Sequence, residues 1–551
     1  MTENSFTASS QPTSPQADAS QQSAPLPPPG AGAPAPFPPR APVPLRSDTP
    51  GYRAMKEAIL NEKGLMTTLF CLVFCVLLCD VVFWGGLGAS VPGMLLLYEA
   101  FAFWLFRGRN SHRGARLLAL PIGVISLGFL LHWNPGTQFI SALTLAGLLA
   151  AQLVLFSGVP LRGIFTFDLF SKAFLNILFR PLEYLDFPFR CLGTLKDSKS
   201  PGTRAAAKVL LGLLLALPMA GILIFLFSCA DAMFEYLADS AADALGLRVG
   251  HLILDVTAGC ILALFASSVL LFNRGGALGG QKPRELSRRW DPTVCGTFLL
   301  LIDLVLIAFV AVQFTYFFGG RPLIAAGGLT YAEYARRGFF ELAWATALVF
   351  AAAVLILTFC RAGANRQPPL LVRICVLVLC LCNGVVLVSA VRRMLLYVEV
   401  YGLSVKRLLT LWFMGLTALC LVWLVLRCFW SSFPAAAAAG CTVLAMVSLL
   451  SLCNTDRLIA RCNADMFLQG SRDIDIPYLS SLSPSALPEL IRLYGAMPEE
   501  DPALTEELGS AIRRQADRLE DRHRVYAFTL DRLLIEPVEE RFEAYLPRAG
   551  E

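Results

Sequence analysis

The chain has 551 residues, of which 56% are hydrophobic and only 16% are charged, and its mean hydropathy is +0.60. Soluble domains have a far more even balance of apolar and polar residues. Because 46 basic and 41 acidic residues cannot cover the surface of a soluble protein of this length, the apolar surplus must face lipid. The composition excludes a water-soluble multidomain enzyme and predicts a multi-pass membrane protein.

The N-terminal segment, residues 1–55, is rich in Pro, Ala, Ser and Gln and contains no apolar run. Such a segment cannot bury enough apolar surface to offset the entropy of folding, so we expect a disordered tail. The first apolar run begins near Leu65, which is too far along the chain for an ordinary secretory signal. We therefore expect this run to remain in the membrane as an anchor.

Eleven apolar runs approach the roughly 20 residues that a helix needs to cross the hydrocarbon core of a bilayer. They predict an all-α polytopic transmembrane bundle of about eleven spans, with a four-helix group at 65–158 and a seven-helix region at 205–454. The predicted spans are residues 65–87, 89–106, 115–133, 139–158, 207–230, 251–272, 293–318, 338–360, 369–390, 407–429 and 434–453.

The connection at 161–204 interleaves phenylalanine and leucine with basic side chains such as Lys172 and Arg190. This pattern is typical of an amphipathic helix that lies in the membrane interface. Simple anchoring in the bilayer explains it, and binding of anionic lipid headgroups is the alternative.

The segment at 455–551 is predicted to be a small soluble helical region. Ser483 and Pro484, followed by leucines up to Gly495, indicate a capped short helix, and residues 502–524 indicate a longer charged helix. From Asn454 onwards the chain has 19 acidic residues and 12 arginines. This acidic balance contrasts with the basic residues upstream, which lie mostly between the apolar runs.

Lysine and arginine are more frequent in the loops after even-numbered spans than in those after odd-numbered spans. Positively charged loops resist translocation, so the N-terminus is predicted to be cytoplasmic. Eleven spans then place the C-terminal segment outside the cytoplasm. One missed or false span would move that segment to the cytoplasmic side.

Acidic residues within the predicted spans are costly, about 2.5 to 3.5 kcal/mol each at the membrane centre unless they are paired or hydrated. We predict that they line an outward-facing polar cavity with arginines as counter-charges. The alternative is that they form ion pairs and hydrogen bonds that only fix the bundle. The predicted cavity residues are Asp80, Glu99, Asp255, Asp303, Glu341, Arg336, Arg337, Arg392 and Arg393. The predicted polar lid consists of Tyr397, Tyr401, Asn463 and Asp465.

Motifs for metal, nucleotide or nucleic-acid binding are absent from the sequence. The four histidines are scattered, and the sixteen cysteines lie mostly in apolar runs without paired loop spacing. No glycine-rich loop continues into the Lys and Ser or Thr of a phosphate-binding loop, and basic residues form no aromatic-studded patch. We expect no metal, no cofactor and no nucleic-acid partner, and we assign no catalytic residue.

Three stretches resemble a known bacterial membrane family. They are TYAEYARRGFFEL from Thr330, RRMLLYVEVYGLSVKRL from Arg392, and CNADMFLQG from Cys462 with DIDIPYLSSLSPSALPEL from Asp473. They resemble domain of unknown function 4173, a relative of family 4153, over roughly spans five to eleven and the start of the C-terminal segment. The resemblance implies a bacterial multi-pass protein and carries no activity with it.

Three functional hypotheses follow. The first is a non-enzymatic envelope protein, either transporter-like or scaffold-like, whose outward cavity binds a small cation or polar solute. The second is a lipid-linked transferase acting at the outer membrane face, with Asp80 or Glu341 as base or metal ligand. The third is a sensor or assembly protein that holds an envelope protein partner through its C-terminal segment. Such transferases typically hold a catalytic acid in a long first outer loop, whereas the loop after span one has only a few residues, so the first hypothesis is favoured over the second.

Overall fold

The structure is a computed structural model. Apart from short gaps, it describes residues 62–158, 167–193, 249–275, 290–326, 339–361, 368–496 and 502–520, together with isolated positions between 212 and 236 and at 529, 530 and 535. The predicted tail at 1–55 lies outside the described residues.

Every named element in the described residues is helical, which confirms the predicted all-α fold. The first twelve helices are α1 (Glu62–Asp80), α2 (Ser90–Leu105), α3 (Arg113–Leu131), α4 (Pro135–Phe156), α5 (Phe167–Phe174), α6 (Phe187–Gly193), α7 (Val249–Gly275), α8 (Pro292–Ala326), α9 (Phe339–Phe359), α10 (Leu370–Tyr401), α11 (Val405–Phe429) and α12 (Ala435–Leu452). Four more follow: α13 (Thr455–Leu468), α14 (Ile476–Ser481), α15 (Leu487–Gly495) and α16 (Pro502–Glu520).

Nine helices within the described residues are long and apolar enough to cross a membrane. These are α1, α3, α4 and α7 to α12. The second predicted span corresponds to α2, an apolar helix of 16 residues, which is about 24 Å long at 1.5 Å per residue. The fifth predicted span, 207–230, lies largely outside the described residues.

Hydrogen bonds between helix ends distinguish the two ends of the bundle. We call the end of the bundle that contains Leu87 and Gln138 the junction end. There, Gln138 in α4 donates to the Leu87 carbonyl ahead of α2 (3.4 Å). At the opposite end, Arg274 of α7 donates to the Leu105 carbonyl of α2 (3.0 Å). There too, the His112 N–H donates to the Leu155 carbonyl of α4 (3.2 Å). Helices α2 and α4 therefore run from the junction end to the opposite end.

The same reasoning extends to the rest of the bundle. Helix α4 ends at the opposite end, whereas α7 begins at the junction end, where His251 stacks on Trp84 with 3.4 Å between ring centroids. The start of α1 and the end of α12 lie at opposite ends of the bundle, because Trp84 follows α1 at the junction end and Ser451 near the end of α12 contacts Ile125 in the second half of α3.

Small residues allow two pairs of helices to approach closely. A Cβ placed on Gly259 of α7 would lie 2.6 Å from Val76 Cα of α1, and a Cβ on Gly128 of α3 would overlap Ser451 of α12. Ser451 also donates through its hydroxyl to the Ile125 carbonyl (2.8 Å). Close backbone approach of this kind is how small residues stabilise helix pairs in lipid.

Helices α13 to α16 form a subdomain at the junction end, which we call the C-terminal subdomain. Its core consists of apolar side chains that include Leu479, Leu490, Leu508 and Ile512, each at most 1% exposed. Leu403, in the turn between α10 and α11, belongs to the same core. The apolar face of the subdomain is thus used in packing against its own bundle.

Helix α10 is longer than its predicted span. It contains 32 residues and so extends about 48 Å, whereas a hydrocarbon core is about 30 Å thick. Its last turns, up to Tyr401, therefore project toward the C-terminal subdomain. The helix stops at Gly402, whose φ of +79° suits glycine.

Candidate functional site

A buried polar network joins the bundle to the C-terminal subdomain. Asn134 precedes α4, and its side-chain oxygen accepts a hydrogen bond from the Thr137 N–H (3.1 Å), which caps the helix. The amide nitrogen of Asn134 donates to Thr455 Oγ1 and to Asp456 Oδ1, both at 2.5 Å. One side chain therefore caps a helix of the bundle and holds the first turn of α13.

Asp456 is the centre of this network. It is 3% exposed, and its second oxygen accepts a hydrogen bond from the Ser483 N–H (3.0 Å). Burial raises the pKa of Asp456 above its usual value, although the hydrogen bonds from Ser483 and Asn134 oppose that shift. The carboxyl thus ties three chain segments together.

A cavity of about 740 Å³ opens beside Asp456, between the bundle and the C-terminal subdomain. Its volume is within the usual range for small-molecule sites. The Tyr478 hydroxyl, on its wall, accepts a hydrogen bond from the Val405 N–H (3.0 Å). The cavity is lined by polar and basic groups that include Trp133, Ser404, Lys406, Tyr478, Ser481 and Arg518.

Asn463, a predicted lid residue, has a structural partner. It is 4% exposed, and its side chain pairs with both backbone groups of Leu403. The Leu403 N–H donates to Asn463 Oδ1 (2.9 Å), and Asn463 Nδ2 donates to the Leu403 carbonyl (2.8 Å). The amide therefore fixes the turn between α10 and α11 against α13.

The predicted lid tyrosines lie together at the end of α10. Tyr397 and Tyr401 contact edge to face with 4.9 Å between ring centroids. The Arg407 guanidinium lies 4.2 Å from the Tyr397 ring centroid and donates to the carbonyls of Tyr401 and Gly402. A cation over an aromatic face is stabilised by the ring quadrupole, so this group strengthens the turn after α10.

Asp465, the last predicted lid residue, belongs to a chain of ion pairs within the C-terminal subdomain. Arg492 contacts Asp465 at 2.7 Å and Glu489 at 3.0 Å, and Arg457 contacts Glu489 at 3.1 Å. The hydrogen bond to Asp465 is the main cause that raises the pKa of Arg492. These contacts join α13 to α15. The four predicted lid residues therefore do not form one group: two stabilise the end of α10, one fixes the turn after it, and one pairs α13 with α15.

Two of the predicted cavity acids lie close together at the junction ends of α1 and α7. Asp255 is 4% exposed and accepts a hydrogen bond from Trp84 Nε1 (2.9 Å). Asp80 is half-buried and close enough to interact with Asp255 electrostatically. His251 stacks on the same Trp84 ring.

The other two acids described inside the bundle have separate partners. Glu99 of α2 accepts a hydrogen bond from Gln152 of α4 (3.0 Å). Asp303 of α8 is 4% exposed and faces the Cys375 thiol of α10. Within the described part of the chain, Asp303 Oδ1 accepts no hydrogen bond.

The remaining predicted cavity residues are more exposed or lie outside the description. Glu341 and Arg392 are exposed and Arg393 is half-buried. Arg336 and Arg337 lie outside the described residues. Among the described residues, the structure therefore brings Asp80 and Asp255 together and places Glu99 and Asp303 elsewhere. A shared cavity completed by Arg336 and Arg337 stays a prediction.

A family model described as Domain of unknown function (DUF4153) matches residues 119–493. The chain belongs to this family. The resemblance to family 4173 was wrong, and the matching family is 4153, the relative that was named with it. No curated protein and no solved structure matches the chain.

The DUF4153 region contains most of the junction. Asn134, Lys406, Asp456, Tyr478 and Ser483 all lie between residues 119 and 493, whereas Arg518 follows the matched region. The matched region also begins well before the fifth predicted span, so the family region includes more of the bundle than the resemblance indicated.

Sequence reasoning missed Asn134 and Asp456 as site residues. Both follow the ends of apolar runs and carry side chains that commonly cap helices, Asn134 before a proline and Asp456 after Asn454 and Thr455. Such signals place each residue at the start of a helix. Only the fold shows that the two side chains meet. Among the described residues, no group of three or more His, Cys, Asp or Glu side chains could hold a metal ion.

Proposed function

We propose that this DUF4153 protein is a non-enzymatic, transporter-like component of the bacterial envelope that binds a small polar solute in the junction cavity. The observation that carries the proposal is the cavity of about 740 Å³ with Lys406, Tyr478 and Arg518 on its walls and buried Asp456 beside them. Sites for small molecules commonly combine a preformed cavity with a few convergent polar groups.

The packing of the C-terminal subdomain favours solute binding over a purely scaffolding role. Its apolar core includes Leu403 of the bundle, and Asn463 and Asp456 bind bundle segments through hydrogen bonds. The apolar face of the subdomain is therefore engaged within this chain, whereas the cavity beside it is open.

We infer that the junction end faces the outside of the cytoplasmic membrane. The distribution of basic loops supports a cytoplasmic N-terminus, and the start of α1 and the end of α12 lie at opposite ends of the bundle. Single cysteines introduced near residues 30, 280 and 500 test this assignment in intact cells. An impermeant maleimide should label only the position near 500, and protection of that position would reverse the assignment.

Solute binding can be tested by thermal unfolding of the purified full-length protein in neutral detergent. Representative probes are inorganic phosphate, choline chloride and glucose, each compared with sodium chloride at equal ionic strength. A bound solute stabilises the folded state by mass action, so at least one probe should raise the unfolding midpoint.

A cavity-filling variant and a matched control make the test specific. Ser481 lines the cavity and donates to the carbonyl three residues earlier (2.6 Å), and Ser510 makes the same contact on α16 without lining the cavity. Ser481→Trp should abolish the midpoint shift, and Ser510→Trp should retain it. The proposal fails if no probe stabilises the wild type, or if both variants respond like the wild type.

A second candidate function is cation movement through the bundle. Asp303 favours it, because it is buried in the membrane-spanning part and its Oδ1 accepts no hydrogen bond within the described residues. Carboxylates inside spans commonly mark ion and proton paths. Asp303→Asn with Glu341→Gln should reduce proton or sodium flux into proteoliposomes, and an unchanged flux would reject this candidate.

The segment between α4 and α7 supports anchoring at the membrane interface. Phe170 and Phe174 of α5 are 67% and 48% exposed, whereas Leu169 and Ala173 of the same helix are buried. An apolar face left open beside Lys172 suits the lipid interface. Tryptophan at position 170 should be quenched by brominated lipids more strongly than tryptophan at position 510.

A further inference from the structure

We infer that the junction cavity binds an anionic group of the phosphate or carboxylate class. This inference rests on the solute-binding function proposed above and names the chemistry of the ligand. It depends on three helix N-termini, two basic side chains and one buried hydroxyl, all of which surround the cavity.

Three helices of the bundle and the C-terminal subdomain begin at the cavity. Helix α4 starts at Pro135, α11 starts after Ser404, and α13 has Asp456 in its first turn, and all three residues line the cavity. The helices contain 22, 25 and 14 residues. A helix N-terminus carries positive partial charge and N–H groups that favour anions. Convergence of three N-termini makes the local field positive.

Two basic side chains add to that field. Lys406, in the first turn of α11, is exposed and lines the cavity. Arg518 lines it from α16, and its guanidinium is held at the edge by a hydrogen bond to the Ser480 carbonyl (3.0 Å). A guanidinium presents five N–H donors in a fork that suits phosphate and carboxylate oxygens.

A buried donor provides an observation independent of the helix ends. Ser483 lines the cavity and is 4% exposed. Its hydroxyl lies beside Asp456 and lowers the pKa of that carboxyl, and it has no other partner within the described part of the chain. The hydroxyl can donate its hydrogen bond to an anionic oxygen in the cavity instead of to Asp456.

Asp456 is the one acidic side chain on the described cavity wall, and both of its oxygens already accept hydrogen bonds. One oxygen accepts from Asn134 and the other accepts from the Ser483 N–H. The Asp456 carboxyl is therefore buried in the cavity wall, whereas Lys406 and Arg518 are exposed at the open side of the cavity. The cavity therefore favours anions over cations, because both of its basic side chains are on the side from which a ligand enters.

The anion can come from the aqueous phase or from a lipid headgroup, since the cavity lies where the bundle meets the subdomain. Both sources present the same oxygens to Lys406 and Arg518. Full-length protein in neutral detergent with inorganic phosphate tests the first source. Full-length protein in nanodiscs of phosphatidylcholine, compared with nanodiscs of equal parts phosphatidylcholine and phosphatidylglycerol, tests the second.

The expected result is a rise of about 2 °C or more in the unfolding midpoint with phosphate or with phosphatidylglycerol, relative to sodium chloride or phosphatidylcholine alone. Lys406→Gln and Arg518→Gln should each lose most of that rise. Arg514→Gln, which removes a neighbouring exposed charge of α16 outside the cavity, should retain it. Ser483→Ala should weaken it without removing it.

The outcomes separate this inference from the proposed function. If choline or glucose stabilises the protein, and Ser481→Trp abolishes that effect, while neither phosphate nor phosphatidylglycerol acts, the cavity binds a solute but the anion assignment is wrong. If an anion stabilises wild type and Lys406→Gln equally, the assignment is also wrong. If no probe of any class acts, both the inference and the proposed function are rejected.

Discussion

The side-chain amide of Asn134 donates a 2.5 Å hydrogen bond to the carboxyl of Asp456, a residue 322 positions later in the chain. Both residues are almost fully buried, at 1% and 3% exposed. Because Asn134 also caps α4, this bond fixes the C-terminal subdomain relative to the bundle. The cavity beside it therefore has walls from two parts of the protein that cannot shift independently without breaking the bond.

Asp456→Asn should destabilise the protein by about 1 to 3 kcal/mol. The new side-chain amide has only one acceptor oxygen, so one of the two buried donors that now bind the carboxylate loses its acceptor. The two donors are Asn134 Nδ2 and the Ser483 N–H. Thermal unfolding in detergent at neutral pH measures the change. Asp517→Asn, on the exposed surface of α16, is the control and should leave the midpoint unchanged.

The pH dependence of Asp456 has a definite sign. Burial raises its pKa in the folded protein, so the folded state holds the proton more tightly than the unfolded chain, whose ordinary value is about 3.9. The contribution of this group to stability therefore falls as the pH rises from about 3.9 through the folded pKa. The stability difference between wild type and Asp456→Asn should decrease over that range, and an increase would contradict the burial argument.

Asn463→Ala should cost about 2 to 4 kcal/mol, since it leaves the buried N–H and carbonyl of Leu403 without their side-chain partner. The turn between α10 and α11 should loosen before the bundle unfolds. Hydrogen exchange of the Leu403 amide, followed by mass spectrometry, should rise strongly. Gln469→Ala, at the exposed end of the same helix, should change neither quantity, and equal exchange in both variants would argue against the clamp.

Gly128→Ala should separate α3 from α12, because the new methyl group overlaps Ser451. We expect a loss of about 1 to 3 kcal/mol from overpacking. Gly123→Ala is a matched control in the same helix, where nothing lies within 4 Å of the new methyl group. Thermal unfolding of the two variants should differ clearly, with Gly123→Ala equal to or more stable than wild type because alanine favours helix.

Glu489→Gln should destabilise the C-terminal subdomain by about 1 to 2 kcal/mol. Breaking a fully buried ion pair would cost more, but the arginine partners of Glu489 are partly solvated. Arg457 and Arg492 both contact this carboxylate, which is 7% exposed, whereas they are 46% and 42% exposed. Limited proteolysis near α15 should accelerate. Glu507→Gln, an exposed residue of α16, should be cleaved at the wild-type rate.

The helices of the bundle could be predicted because a run of about 20 apolar residues has few alternatives to a membrane span. Helix α11 begins at Val405, two residues from the predicted start, and ends at Phe429 as predicted. The end of α10 could not be found this way. Its last turns, which include Tyr397, are polar enough to leave the lipid, and helix continues there because the C-terminal subdomain packs on it.

The candidate site was harder to predict, because it depends on contacts between distant segments. Hydropathy identified Asp255 and Asp303 as costly residues but gave no partner for either, and the structure pairs them with Trp84 and the Cys375 thiol. Asp456 lies just past the last apolar run, where a carboxylate looks ordinary for a soluble segment. Its burial follows only from the packing of α13 against the start of α4.

The distance along the chain between Asn134 and Asp456 has a consequence for synthesis. Asn134 leaves the ribosome 322 residues before its partner, so the early helices enter the membrane with an unfinished polar end. Only a chain translated beyond α13 can complete that end. The junction therefore forms only after α13 has been synthesised, and a chain truncated before Thr455 would leave the Asn134 amide without its Asp456 partner.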